Sequence, residues 1–311
     1  MRSLSARFAS LSPSSAYVCH SLVRVSGAAT VLKILYIHQY FVTPDEAGGA
    51  RSYYLSKIMA EQGHDVVIMT SNTRHADWPL VCEKMVGNVK VIYVRNAYDG
   101  RMSKFARLLS YGKFVVYSTW LSLRQKNVDI VFASSTPLTI GIPALAMSFL
   151  KKRPFVLELR DIWPDVPYEL GFIRGQFFYR SMKKFEAWLY RKASKIITVS
   201  DGMRDAIPEE HLNKTQTYPF GSNLELFQTA RDVRWKIDNG INADTLYVFT
   251  GAVGIANGVE YLVDAARIVR EQGRLDIHVA IIGDGSAHDR IRSLIKEDQL
   301  RNLTMHEPVS I

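Results

Sequence analysis

Two glycine-marked passages from an apolar run into a helical pattern, about 200 residues apart, constrain this chain more than any other feature. The first runs Ile34-Leu35-Tyr36-Ile37-His38, then Gly48-Gly49 ahead of a helix from about Ala50. The second runs Leu246-Tyr247-Val248-Phe249, then Gly251, Gly254 and Gly258 before another helix. Residues without a Cβ leave main-chain N–H groups open where a strand turns into a helix, which is how parallel α/β units hold a phosphate. Two such openings predict two nucleotide-type lobes facing one cleft, and 311 residues exceed one typical core.

Between and beyond these passages, strand and helix patterns alternate. Strands are expected at 33–38, 66–70, 89–94, 129–133, 155–159 and 195–200, with helices at about 50–62, 101–126, after Pro137, and 176–193. Near-continuous apolar strands separated by helices predict a doubly wound parallel sheet. Domain boundaries are expected at 32–215 for the first lobe, 216–242 for an irregular linker containing the Tyr218-Pro219-Phe220-Gly221-Ser222-Asn223 turn, and 243–311 for the second. The second lobe offers strands at 246–250, 277–282 and 303–306 with helices at 258–271 and 287–298. So short a parallel sheet reads as an incomplete lobe of a truncated chain. Residues 1–31 hold Arg2, Arg7 and Arg24 and no acid, and read as an upstream extension or a targeting segment outside the fold.

A formal charge of +9 and a pI near 9.4 point to an anionic partner: a phosphorylated small molecule, an acidic membrane surface or nucleic acid. Two cysteines without motif spacing predict neither a disulfide framework nor a zinc cluster. No run of 18 uncharged apolar residues is present, which excludes an ordinary transmembrane helix. The stretch 101–126 carries Arg101, Lys104, Arg107, Lys113, Arg124 and Lys126 among aromatic and aliphatic residues, without an acid. It fits first a helix packed on the sheet with a solvated basic edge, since helices covering a parallel sheet also need a broad apolar face, and as the alternative one resting on an anionic bilayer.

Several constellations are candidates for chemistry. Gly48-Gly49 supplies unhindered amides for a diphosphate and Arg51 a charge-assisted contact, against the alternative of a plain turn. Arg160-Asp161, with Asp165, follows a central strand at the edge where open α/β sheets bind ligands. Asp161 is the candidate to orient or deprotonate a hydroxyl, with Arg160 keeping it ionised; the alternative is a structural pair around Trp163-Pro164. His38 ends the first strand and is placed either to donate to a substrate oxygen or to make a loop contact. Neither G-x-x-x-x-G-K-[ST] nor G-x-G-x-x-G occurs, which counts against ATPases and ordinary dehydrogenases. With no Asp-x-Asp and no H-E-x-x-H spacing, a metal-free mechanism is expected. A nucleotide-cofactor oxidoreductase built on Gly283-Asp284-Gly285 is the competing enzyme class and lacks its glycine fingerprint.

In their order along the chain, Ile34 to Phe41, Pro44 to Arg51, Gly63-His64-Asp65-Val66, Arg160-Asp161-Ile162-Trp163-Pro164, Ala193 to Ser200 and Gly251 to Leu262 resemble family 4 glycosyltransferases of the GT-B fold. The resemblance is nearest to the subgroup that moves amino or deoxy sugars in bacterial surface-polysaccharide assembly. It implies a second Rossmann-like domain that is incomplete here, a nucleotide diphosphate-sugar donor, retention at the anomeric carbon, and neither an essential metal nor a cofactor. It also implies a lipid-linked or saccharide acceptor on the first lobe, at the cytoplasmic face of a membrane, and no nucleic acid partner. By position, Gly48, Gly49, Gly251, Gly254 and Gly258 would approach the diphosphate, and Gly283, Asp284 and Gly285 would lie near the nucleotide.

Departures from the family pattern matter. Many members have His-Asp where Arg160-Asp161 stands, so no histidine role carries over there. Pro219-Phe220-Gly221-Ser222-Asn223 replaces the common Pro-Asn-Gly-Val-Asp, and the usual Arg and Lys near the second glycine loop are missing between Gly251 and Gly258. The family's Glu-x7-Glu region would fall beyond Ile311. A catalytically inactive remnant that keeps the acceptor-side domain is therefore the alternative expectation.

Overall fold

The structure is a computed structural model that describes residues 31–46, 48–96, 102, 104–221 and 234–309. Residues 1–30 of the expected extension, Arg101 and residues 222–233 of the expected linker lie outside the described residues. Of the described residues, one compact unit takes those up to Phe41, those from Ala50 through 96 and those from Phe105 to Gly221. The other takes Val42–Gly49, residues 102 and 104, and 234–309.

In the first unit the chain runs β1 (Lys33–Ile37), α1 (Arg51–Glu61), β2 (Asp65–Asn72), β3 (Val81–Val86), β4 (Val89–Arg95), α2 (Lys104–Arg124), β5 (Ile130–Ser134), α3 (Gly141–Lys151) and β6 (Phe155–Leu159). It continues through α4 (Asp165–Glu169), α5 (Gln176–Lys192), β7 (Lys195–Thr198), α6 (Asp201–Asp205) and β8 (Thr215–Thr217). The sheet order is β3-β4-β2-β1-β5-β6-β7-β8, and every pairing is parallel except β3 with β4. The central strands are near-continuous apolar runs because both faces are covered, with Glu158 of β6 as a buried exception. One face packs Leu35, Ile37, Ala133 and Leu157 against α2, α3 and α5 through Phe114, Leu145 and Leu189. The other packs Tyr36, Ile68 and Phe132 against α1 through Leu55 and Met59.

The observed sheet departs from the expected wholly parallel one at its edges. β3 forms an antiparallel hairpin with β4, turning on Gly87 at φ 58°, a left-handed conformation that glycine adopts without Cβ strain. Its residues are half-exposed, so the apolar run that marks a buried strand is absent. β8, of sequence Thr215-Gln216-Thr217, adds a polar edge strand where irregular chain was expected, and the first unit extends to Gly221 rather than ending at 215.

The second unit holds α7 (Arg234–Asp238), β9 (Thr245–Thr250), α8 (Glu260–Glu271), β10 (Ile277–Ile282), α9 (His288–Glu297) and β11 (Leu303–His306). Its parallel sheet has the order β11-β10-β9, and its core joins Val263 and Ala266 of α8 to Ile281 of β10 and Ile291 of α9.

Candidate active site

Because β1, β5 and β6 are adjacent and parallel, the residues that follow them emerge together at one edge of the first sheet. His38 follows β1, Ser135 and Thr136 follow β5, and Arg160 and Asp161 follow β6. Main-chain geometry holds this edge: Ser135 N–H donates to the Glu158 carbonyl at 2.9 Å, and Arg160 N–H donates to Ser135 Oγ at 3.1 Å.

His38 is buried and both ring nitrogens are engaged. Nε2 lies 2.8 Å from Arg160 Nη1 and Nδ1 lies 2.9 Å from Ser52 Oγ. A guanidinium can only donate, so Nε2 accepts and Nδ1–H donates to Ser52. Burial, then the Arg160 charge, holds the imidazole well below its ordinary pKa, which matches the neutral ring this tautomer requires. Of the two expected placements of His38, a substrate donor or a loop contact, the structure gives neither directly: both ring nitrogens have protein partners, and the Nε2 bond aims Arg160.

Arg160 is half-buried and touches the Phe220 ring, with Cζ 5.4 Å from its centroid. Among the described residues no carboxylate lies within ion-pair distance of it. A neutral imidazole and an aromatic face leave its positive charge uncompensated at the sheet edge. The expected pairing of Arg160 with Asp161 does not form: Asp161 is exposed and accepts a short hydrogen bond from Thr136 Oγ1. Asp165 opens α4 and accepts from Tyr179 Oη at 2.6 Å and Lys183 Nζ at 3.0 Å.

Arg51, the candidate for a diphosphate contact, is engaged within the first unit. Its Nε donates to Glu158 Oε1 at 2.8 Å, and its two terminal nitrogens donate to the carbonyls of Pro219 and Tyr218 at 3.1 Å each. The Phe220 ring lies 4.7 Å from its Cζ. Glu158 is fully buried in mid-strand, where a carboxylate requires partners, and Ser134 Oγ supplies the second at 2.5 Å. The sequence signal was a lone acid within Phe155-Val156-Leu157-Glu158-Leu159, a pattern the motif reading passed over.

The glycines divide by their surroundings. Gly48 and Gly49 are exposed and group with the second unit, ahead of α1, whose N-cap Ala50 makes no side-chain capping bond. Within that segment the Glu46 carboxylate accepts from Thr43 N–H at 3.0 Å. In the second unit, a Cβ on Gly283 would stand 1.9 Å from the Gly251 carbonyl oxygen, and one on Gly285 would stand 2.5 Å from that of Val253. Gly251 N–H donates to the Ile282 carbonyl and Val253 N–H to that of Asp284, at 3.0 Å each. The loops after β9 and β10 therefore pack main chain on main chain, and Gly283 and Gly285 serve that packing. Asp284 is exposed and accepts from Gly285 N–H at 2.7 Å. A Cβ on Gly254 meets nothing within 4 Å, and Gly258 ends a short 3-10 turn at φ 60°.

A family model described as a glycosyl transferase 4-like domain matches residues 47–218. A search of curated proteins gives no match. Among solved structures, sucrose-phosphate synthase from Thermosynechococcus elongatus is similar with a TM-score of 0.67 at 16% identity, over 90% of this chain and 71% of that one. Anabaena Alr3699/HepE in complex with UDP-glucose gives 0.59 at 16%, over 89% and 69%. WaaG, a glycosyltransferase involved in lipopolysaccharide biosynthesis, gives 0.54 at 16%, over 88% and 70%. At such identities the likeness establishes the fold, which is GT-B.

Proposed function

We propose, from the premise that this chain belongs to the glycosyl transferase 4-like family, that it transfers a sugar from a nucleoside diphosphate-sugar to a lipid-linked or saccharide acceptor during surface-polysaccharide assembly. The single observation that carries this reading is the convergence of Arg160 and Asp161 at one edge of a parallel sheet, with Arg160 held by a neutral histidine. Asp161, fixed by Thr136, orients the acceptor hydroxyl and receives its proton. Arg160 presents a positive charge that pairs with no carboxylate among the described residues, so it is available to a phosphate oxygen of a bound substrate. His38 is a positioning residue for Arg160. In the second unit, Gly251, Gly254 and Gly258 form the donor side, with Asp284 beside the nucleotide. Transfer with retention at the anomeric carbon, without an essential metal, completes the reading, and the likeness to WaaG supports the cell-surface role.

A thermal-shift screen of the full chain with UDP-, GDP- and ADP-sugars tests the donor. One nucleotide class should raise the melting temperature, with a gain near 2.7 kcal/mol at a hundredfold excess over the dissociation constant, on the order expected from mass action. No shift with any nucleoside diphosphate-sugar would refute the donor assignment.

A further inference from the structure

The three helices that cover one face of the first sheet carry a second apolar stripe that the sheet does not use. In α2, Phe114 faces the core and is fully buried, yet Phe105, Leu108 and Trp120 lie on the far side of the helix and are 71%, 62% and 46% exposed. Leu150 at the end of α3 is 69% exposed, and Phe177 at the start of α5 is 87% exposed. A helix packed on a sheet needs one apolar face, so outward aromatic and aliphatic residues on the three helices of this face, joined between α3 and α5 by Phe149 against Trp188, are apolar surface that packing on the sheet does not explain.

Charge around this surface has one sign. Across α2, α3 and α5 the only acid is Glu186, which is buried and bound by Lys183 Nζ at 2.6 Å and Tyr190 Oη at 2.7 Å. Exposed cations sit directly on the exposed rings: Arg124 Cζ is 4.1 Å from the Trp120 centroid, and Lys192 Nζ is 5.2 Å from that of Phe149, itself 5.8 Å from Trp188. The helices of the second unit are different, because their surface arginines pair with acids, as in Arg267 with Asp264 and Arg290 with Glu260.

We infer that the outer face of α2, α3 and α5 docks on an anionic phospholipid bilayer. Rings with a cation beside them suit the boundary between acyl chains and phosphates: the ring and stem enter the apolar layer while the charge remains at the headgroups. A nucleic acid would match the cations and leave the aliphatic residues facing a polar backbone. The inference deepens the function proposed above and rests on its lipid-linked acceptor for purpose, since docking would bring the chain to a substrate confined to the membrane.

Co-sedimentation of the full chain with vesicles provides the test. The chain should pellet with vesicles of phosphatidylcholine plus phosphatidylglycerol, pellet far less with phosphatidylcholine alone, and be released by salt. Each neutralised lysine should weaken the partition about fivefold, so Lys113→Gln, Lys151→Gln and Lys192→Gln together should weaken it on the order of 100-fold. A second variant, Leu108→Ser with Leu150→Ser and Phe177→Ser, should lose binding even at low salt. Both variants should keep the wild-type circular dichroism, nucleoside diphosphate-sugar binding, and turnover with a water-soluble acceptor. Wild-type chain left in the supernatant of anionic vesicles, or unchanged partition of both variants, would overturn the inference. So would wild-type dimers that the second variant makes monomeric, or a preference for an oligonucleotide over vesicles. Vesicle binding without donor binding would leave the surface standing and refute the transferase reading.

Discussion

His38 shows how a single side chain sets the electrostatics of the candidate site. A protonated ring could not accept from Arg160, so the arrangement depends on burial keeping the imidazole neutral. Its pKa is lowered in the folded state, so below the unfolded value of 6.5 the unfolded chain binds a proton that the folded chain does not. Stability is therefore full above that pH and falls as the pH drops, at a limiting slope of about 1.4 kcal/mol per pH unit. His64 and His278 are also lowered by burial, which makes the comparison with a variant the informative measurement. His38→Asn should be less stable than wild type at pH 7.5 in urea unfolding, and the gap should close toward pH 5; parallel curves would mean that His38 is not held neutral. Arg51 and Glu158 show what the sequence hid. Arg51 sits one residue inside the helix that follows a glycine pair, where phosphate contacts occur, yet its partners lie more than a hundred positions away, and linear spacing carries no trace of them.

At the scale of elements, the buried parallel strands were legible because each is a near-continuous apolar run bounded by turn residues, as in Ile130–Ser134 and Ile277–Ile282. β3 and β8 were not, since edge strands need no such run and the burial of each is partial. The glycine loops were legible as glycine-rich, but the reason for each glycine was not. Sequence treats Gly254 and Gly283 alike as approaches to a ligand, whereas only Gly283 has a main-chain oxygen where its Cβ would be. Gly283→Ala should cost about 2–4 kcal/mol through forced separation of the loops after β9 and β10. Gly254→Ala should leave stability within about 0.5 kcal/mol, and a weaker donor affinity in that variant would mark Gly254 as the residue the nucleotide approaches. Equal melting temperatures for the two variants would contradict this division.

For the whole molecule, the excess of positive charge is concentrated rather than spread. One part gathers on the outer face of α2, α3 and α5, and another is the guanidinium of Arg160 at the sheet edge, which meets no carboxylate among the described residues. The chain was recognisable as a glycosyltransferase from the order of its motifs, because strand-to-helix junctions keep their residue types wherever backbone geometry demands them. The identity of the sugar and of the acceptor was not recognisable, since those contacts depend on side chains brought together from distant strands. The most direct test of the central claim is turnover by the protein purified as its own cells make it, in wild-type, Asp161→Asn and Arg160→Ala forms. Each is supplied with the nucleoside diphosphate-sugar that stabilises it and a lipid extract as acceptor, and release of nucleoside diphosphate is measured. The account predicts acceptor-dependent release by wild type and a loss of about 10²–10⁴-fold in Asp161→Asn with donor binding retained. Undiminished release by both variants would contradict it.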